Sequence, residues 1–102
     1  METLKISEQE IINSICIYIA DKRQVSPTDV IVELKYDDEY GYSAEVEVNG
    51  RSQILIQANL IEALRMWLDE RSVDPFSARL KLALEDSEGI VAYASLDKEY
   101  VE

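Results

Sequence analysis

Apolar positions recur along this chain in two rhythms. The spacing from Glu8 to Arg23 predicts a helix, because Ile11, Ile12, Ile15 and Ile19 fall at three- and four-residue intervals and form one stripe. Ser7 is a good N-cap. Glu10 lies three residues on, which completes a capping box. Ile6 and Ile11 are spaced as a hydrophobic staple around it, and Ser26-Pro27 ends the segment. A second stripe, Leu60, Leu64, Trp67 and Leu68, predicts a helix from about Leu60 to Arg71 with Asn59 as its cap.

Between and after these helices the period changes to two. Val30, Val32, Leu34 and Tyr36 alternate with Ile31, Glu33 and Lys35, which predicts a strand over 30–36. Strands are also expected at about 42–48, 51–58, 78–85 and 90–95. The order is therefore α-β-β-β-α-β-β. Sequential antiparallel strands with one polar face imply an α+β fold, with a single antiparallel sheet and both helices on one side of it.

The Asn49-Gly50 turn decides which side chains of the third strand face inward. A two-residue turn sets Glu45 against Ile54, so that the apolar faces of the two strands disagree, and a one-residue slip flips every side chain. A three-residue loop over 48–50 restores the parity. It pairs Glu47 with Arg51 and turns Ile54 and Ile56 inward. On that reading the uncovered face carries Ile31, Leu55, Val91 and Tyr93 among mostly polar neighbours. Clustered, these four would make a docking or dimer surface.

Composition narrows the function classes. At 102 residues, 47% hydrophobic and 30% charged, the chain reads as one globular domain over 1–102, with a frayed polar tail at 97–102. The net charge of −11 disfavours nucleic acid and anionic membrane as partners. The chain contains no histidine, which excludes Ser-His-Asp and Cys-His machinery and His-ligated metal. Its three glycines are far apart, so no phosphate loop is present. A single cysteine, Cys16, suits a reducing compartment, and Met1 to Ser7 shows no signal pattern; the expectation is a cytoplasmic protein. Cys16 lies in the first helix among isoleucines and reads as a packed thiol. No enzymatic activity and no cofactor is expected.

The loop Asp37-Asp38-Glu39-Tyr40 is the remaining candidate. Consecutive carboxylates are hard oxygen ligands for a divalent cation, but adjacent acids in an extended loop point apart, and the spacing is not that of an EF-hand. The leading expectation is a module that binds another protein, or itself, through the sheet face. The alternatives are a cation or small-ligand binder using residues 37–39, and a nucleic-acid mimic that captures a basic protein.

Two resemblances bear on this. The order α-β-β-β-α over residues 8–71 resembles a double-stranded-RNA-binding domain. That family grips phosphates with a basic second helix, whereas Asn59-Leu60-Ile61-Glu62 is not basic here, so the function does not carry over. Three longer stretches are similar to the YxcD-like proteins, a small family from Gram-positive spore-formers. They are Ile6-Ser7-Glu8-Gln9-Glu10-Ile11-Ile12-Asn13, Tyr36-Asp37-Asp38-Glu39-Tyr40-Gly41-Tyr42-Ser43-Ala44-Glu45-Val46 and Leu55-Ile56-Gln57-Ala58-Asn59-Leu60-Ile61-Glu62-Ala63-Leu64. The resemblance brings no assigned activity with it.

Overall fold

The computed structural model describes residues 2–71 and 78–96; the expected frayed tail at 97–102 and the loop that Asp74-Pro75 predicts from sequence lie outside them. The elements are β1 (Glu2–Ile6), α1 (Glu8–Arg23), a 3₁₀ turn (Pro27–Asp29), β2 (Val30–Asp37), β3 (Gly41–Val48), β4 (Arg51–Ile56), α2 (Gln57–Glu70), β5 (Ala78–Glu85) and β6 (Gly89–Leu96).

The α+β class holds, but the single sheet does not. The strands form two three-stranded antiparallel sheets, in the orders β1-β6-β5 and β2-β3-β4. The missing piece was β1. It pairs along β6 from Glu2 opposite Leu96 to Ile6 opposite Ala92, so β6 becomes a central strand flanked by β1 and β5. The second sheet is a local meander of β2, β3 and β4.

Both sheets and both helices contribute to one core. Ile11, Ile15 and Ile19 of α1 and Leu60, Leu64 and Leu68 of α2 are buried with Ile6, Leu82, Ala92 and Ala94 of one sheet and Ala44, Val46, Val48 and Leu55 of the other. Each large aliphatic removed from water here contributes about 1.5–3 kcal/mol. Helix α1 packs on β2, β6 and α2, while α2 packs on β3 and β4. The two helices are joined by the Tyr18 hydroxyl, which donates to Glu62 Oε1 at 2.6 Å. Burial first, and then this carboxylate, push the Tyr18 phenol up to about 12.

The local rules for α1 are met in full. The Ser7 hydroxyl accepts from the Glu10 N–H at 3.2 Å, and Glu10 Oε1 accepts from the Ser7 N–H at 3.0 Å. The second helix departs from expectation. It starts at Gln57 immediately after β4, so Asn59 is not its cap but sits inside the first turn, where Oδ1 accepts the Ile56 N–H at 3.0 Å. The strand therefore ends at Ile56 rather than Ala58.

A further long-range contact secures the other end of the molecule. Glu8 Oε2 accepts the Ile90 N–H at 3.1 Å, tying the start of α1 to the β5–β6 turn. Gly89 in that turn has φ +76, and a Cβ there would lie 2.6 Å from Glu8 Oε2. The backbone conformation there favours glycine, and a Cβ would also push the Glu8 carboxylate off the Ile90 N–H.

Candidate interaction surface

The β3–β4 turn controls the outer face of the β2-β3-β4 sheet. Val48 pairs with Arg51, so the turn has two residues, and Asn49 and Gly50 both take positive φ, 51 and 81. These are the signs of a type I′ turn, the form that Asn-Gly favours and whose twist matches the strands. The expected three-residue loop and its Glu47–Arg51 pairing are therefore incorrect. Glu45 faces Ile54 and Ala44 faces Leu55.

This register inverts the side chains of β4. Leu55 is in the core at 4% exposure, while Ile54 and Ile56 stand on the outer face at 58% and 61%. The inversion is tolerated because β4 is an edge strand whose core-side positions include Arg51 and the half-exposed Gln53. Gln53 accepts a hydrogen bond from Arg23, so it is satisfied at the rim. One inward leucine at the helix-covered end is enough to anchor the strand.

The four residues expected to share the open face divide accordingly. Ile31 is on the outer face of the β2-β3-β4 sheet, 63% exposed. Leu55 is not, because it points into the core. Val91 and Tyr93 belong to the other sheet: Val91 is fully buried, and Tyr93 is half-buried. The Tyr93 hydroxyl bonds Glu85, whose carboxylate also pairs with Lys5 at 3.1 Å, and Lys5 reaches Glu88 at 2.7 Å. Hydrogen bonding to Tyr93, then to Lys5, holds Glu85 below the usual carboxylate range. This outer face carries a polar network, not a cluster of free apolar side chains.

The acidic loop lies at the far end of the β2–β3 hairpin, against the exposed isoleucines. Asp37 Oδ1 accepts the N–H groups of Glu39 and Tyr40, at 2.7 and 3.1 Å. Its carboxylate therefore shapes the turn, as Asx side chains commonly do. Asp38 and Glu39 are exposed. Among the described residues no group of three or more His, Cys, Asp or Glu comes together as a ligand set for metal. Tyr40 is 80% exposed. Tyr36 and Tyr42 pair with ring centroids 4.8 Å apart and planes at 50°. Tyr42 packs against the core, whereas Tyr36 is 43% exposed.

Lys35, Tyr36, Asp37, Tyr40, Tyr42, Ser43, Ile54 and Ile56 line a groove of about 460 Å³ at this end of the sheet. Its charge is asymmetric. Lys35 is already paired with Glu45 at 3.1 Å. The charge of Asp38 raises the Tyr36 phenol above its ordinary value, with desolvation second. The sequence had pointed to the loop and to Ile31 but missed Ile54 and Ile56. The signal that would have found them was the Asn-Gly dipeptide taken at face value.

Cys16 is partly buried and Trp67 is buried. Cys16 Sγ donates to the Val30 carbonyl at 3.6 Å, and burial pushes its thiol up, away from a reactive thiolate. Trp67 is 5% exposed and packs in the core, with the Arg71 guanidinium 3.7 Å from its ring centroid. No helix among the described residues is long and apolar enough to cross a membrane.

Comparison with known proteins agrees with the motifs quoted at the start. Residues 1–87 match the family described as "Protein of unknown function (DUF2653)". The chain is 30% identical over 91 residues to the "Uncharacterized protein YxcD" of Bacillus subtilis (strain 168), covering 87% of this chain and 89% of that one. No solved structure matches it. The chain belongs to the YxcD-like, DUF2653 family of proteins of unknown function.

Proposed function

We propose that this protein is a non-catalytic cytoplasmic interaction module that binds a partner protein through the outer face and free edge of its β2-β3-β4 sheet. The observation that supports this reading is the position of Ile54 and Ile56. Both are more than half exposed, side by side on an edge strand. Edge strands of soluble proteins are usually blunted by charge, proline or a bulge, and the outward side chains of β4 from Ser52 on, Ser52, Ile54 and Ile56, provide none of these. The groove beside them adds aromatic surface of the kind enriched at interfaces.

A partner other than the chain itself is favoured by charge. The outer face carries Glu33, Glu45 and Glu47 against Lys35, on a chain of net charge −11. Face-to-face self-association would bring these acids together.

The test is to place a photoreactive phenylalanine analogue at Ile54 in the native host, with the same replacement at exposed Asp86 as control. Irradiation is expected to give a discrete adduct from position 54 and none from position 86. Equal labelling from both positions, or none from 54, would defeat the reading.

A further inference from the structure

The occupant of the groove can be specified from the backbone as well as the side chains. In a two-residue hairpin the flanking pair, Val48 and Arg51, is hydrogen-bonded, and bonded and non-bonded pairs then alternate. Ser52, Ile54 and Ile56 are the non-bonded positions, so their N–H and C=O groups point away from β3. The Ile56 N–H is taken by Asn59. No backbone bond outside the regular ladders reaches Ser52 or Ile54 among the described residues. A short seam of donors and acceptors is thus open beside two exposed isoleucines.

An extended peptide laid on that seam in β-augmentation has one row of alternate side chains on the same face as Ile54 and Ile56. The groove next to that row is lined by tyrosine rings and Asp37, its one lysine is occupied by Glu45, and the exposed acids Asp38 and Glu39 lie in the adjoining loop. Rings and carboxylates together favour a cation: the ring faces attract it, and the low net potential of the chain draws it in. We infer that the β4 edge and its groove take an extended segment of a partner protein with apolar and Lys or Arg residues, the basic side chain lying over the Tyr36–Tyr40 end of the groove. This rests on the interaction-module reading and adds the chemistry of the partner.

The probe is a short, capped peptide alternating Val and Lys, titrated into the full chain at low salt and followed by amide NMR. Shifts are expected at Ser52 and Ile54 and through residues 36–42. The double variant Asp38→Asn, Glu39→Gln, which leaves the Asp37 turn bonds in place, should weaken binding about fivefold, the effect of about 1 kcal/mol from two surface charges. An N-methylated version, unable to pair along the edge, should bind more weakly still. The inference is overturned if a Val–Glu peptide binds as well, if the shifts map elsewhere or are absent, or if sedimentation shows β4 closed by a second copy that Ile54→Lys releases. The two readings separate through the photo-adduct: a partner captured at position 54 through a segment lacking Lys and Arg keeps the module and removes the basic occupant.

Discussion

Each of the two sheets has three antiparallel strands, yet they treat their outer faces in opposite ways. On the β1-β6-β5 sheet, Lys5, Glu85, Glu88 and Tyr93 form a connected network, and Val91 is buried. On the β2-β3-β4 sheet, one Lys35–Glu45 pair stands among exposed Ile31, Ile54 and Ile56. Both inner faces share a single core, so core formation does not require the difference. Exposed apolar side chains scattered singly are ordinary; two adjacent ones on an unpaired edge, next to aromatic rings, have another use. The sealed sheet shows that this chain has the means to close an outer face with charge, which makes the open one informative.

The strongest way to break the comparison is through β4. Leu55→Ala should cost about 2–4 kcal/mol, and Ile54→Ala less than about 0.5 kcal/mol, measured by urea unfolding. The reverse order would mean that the strand is flipped and that the outer face has been misassigned. The turns offer a second test. Gly89→Ala combines positive φ with a clash against Glu8 and should cost about 2–3 kcal/mol, whereas Gly50→Ala, where a Cβ meets nothing, should cost about 1–2 kcal/mol. Similar losses at the two sites would show that the Glu8 clasp on the first sheet is dispensable.

The smallest effect concerns acid. Glu85 is held below its ordinary range, chiefly by Tyr93 and then by Lys5. A depressed carboxylate adds stability that is present above its unfolded value and lost as pH falls through the folded one. Tyr93→Phe should therefore lower the melting temperature slightly at neutral pH, with the gap to wild type closing in the acid range. Lys35→Met on the other sheet should leave the acid limb steeper than Tyr93→Phe does. A gap that persists unchanged into strong acid would remove the network from the account of the sealed face.

Local signals in the chain defined most elements. The α1 boundaries follow from Ser7, Glu10 and the isoleucine stripe, and β5 from its leucine alternation, because caps and periods act within a few residues. The missing strand β1 is five residues long, and its Ile6 was accounted for by the staple, so nothing local required a strand there. Its partner lies some ninety positions away in β6, a distance no periodicity reaches. The division into two sheets depends on that pairing. At β4 two rules conflicted, turn chemistry against the count of apolar residues, and turn chemistry prevailed: the Asn49-Gly50 turn holds a register that puts Leu55 in the core and leaves two isoleucines outside. The acidic loop was legible as a loop; its place beside exposed β4 side chains was not, since that followed from the same register.

Ile56 is at once the last residue of β4 and the residue that precedes α2. No slack separates the sheet edge from the helix, and the helix is tied by Glu62 to Tyr18 of its neighbour. Whatever settles on the rim therefore meets the first turn of α2 across a single peptide plane, with no linker to absorb a shift.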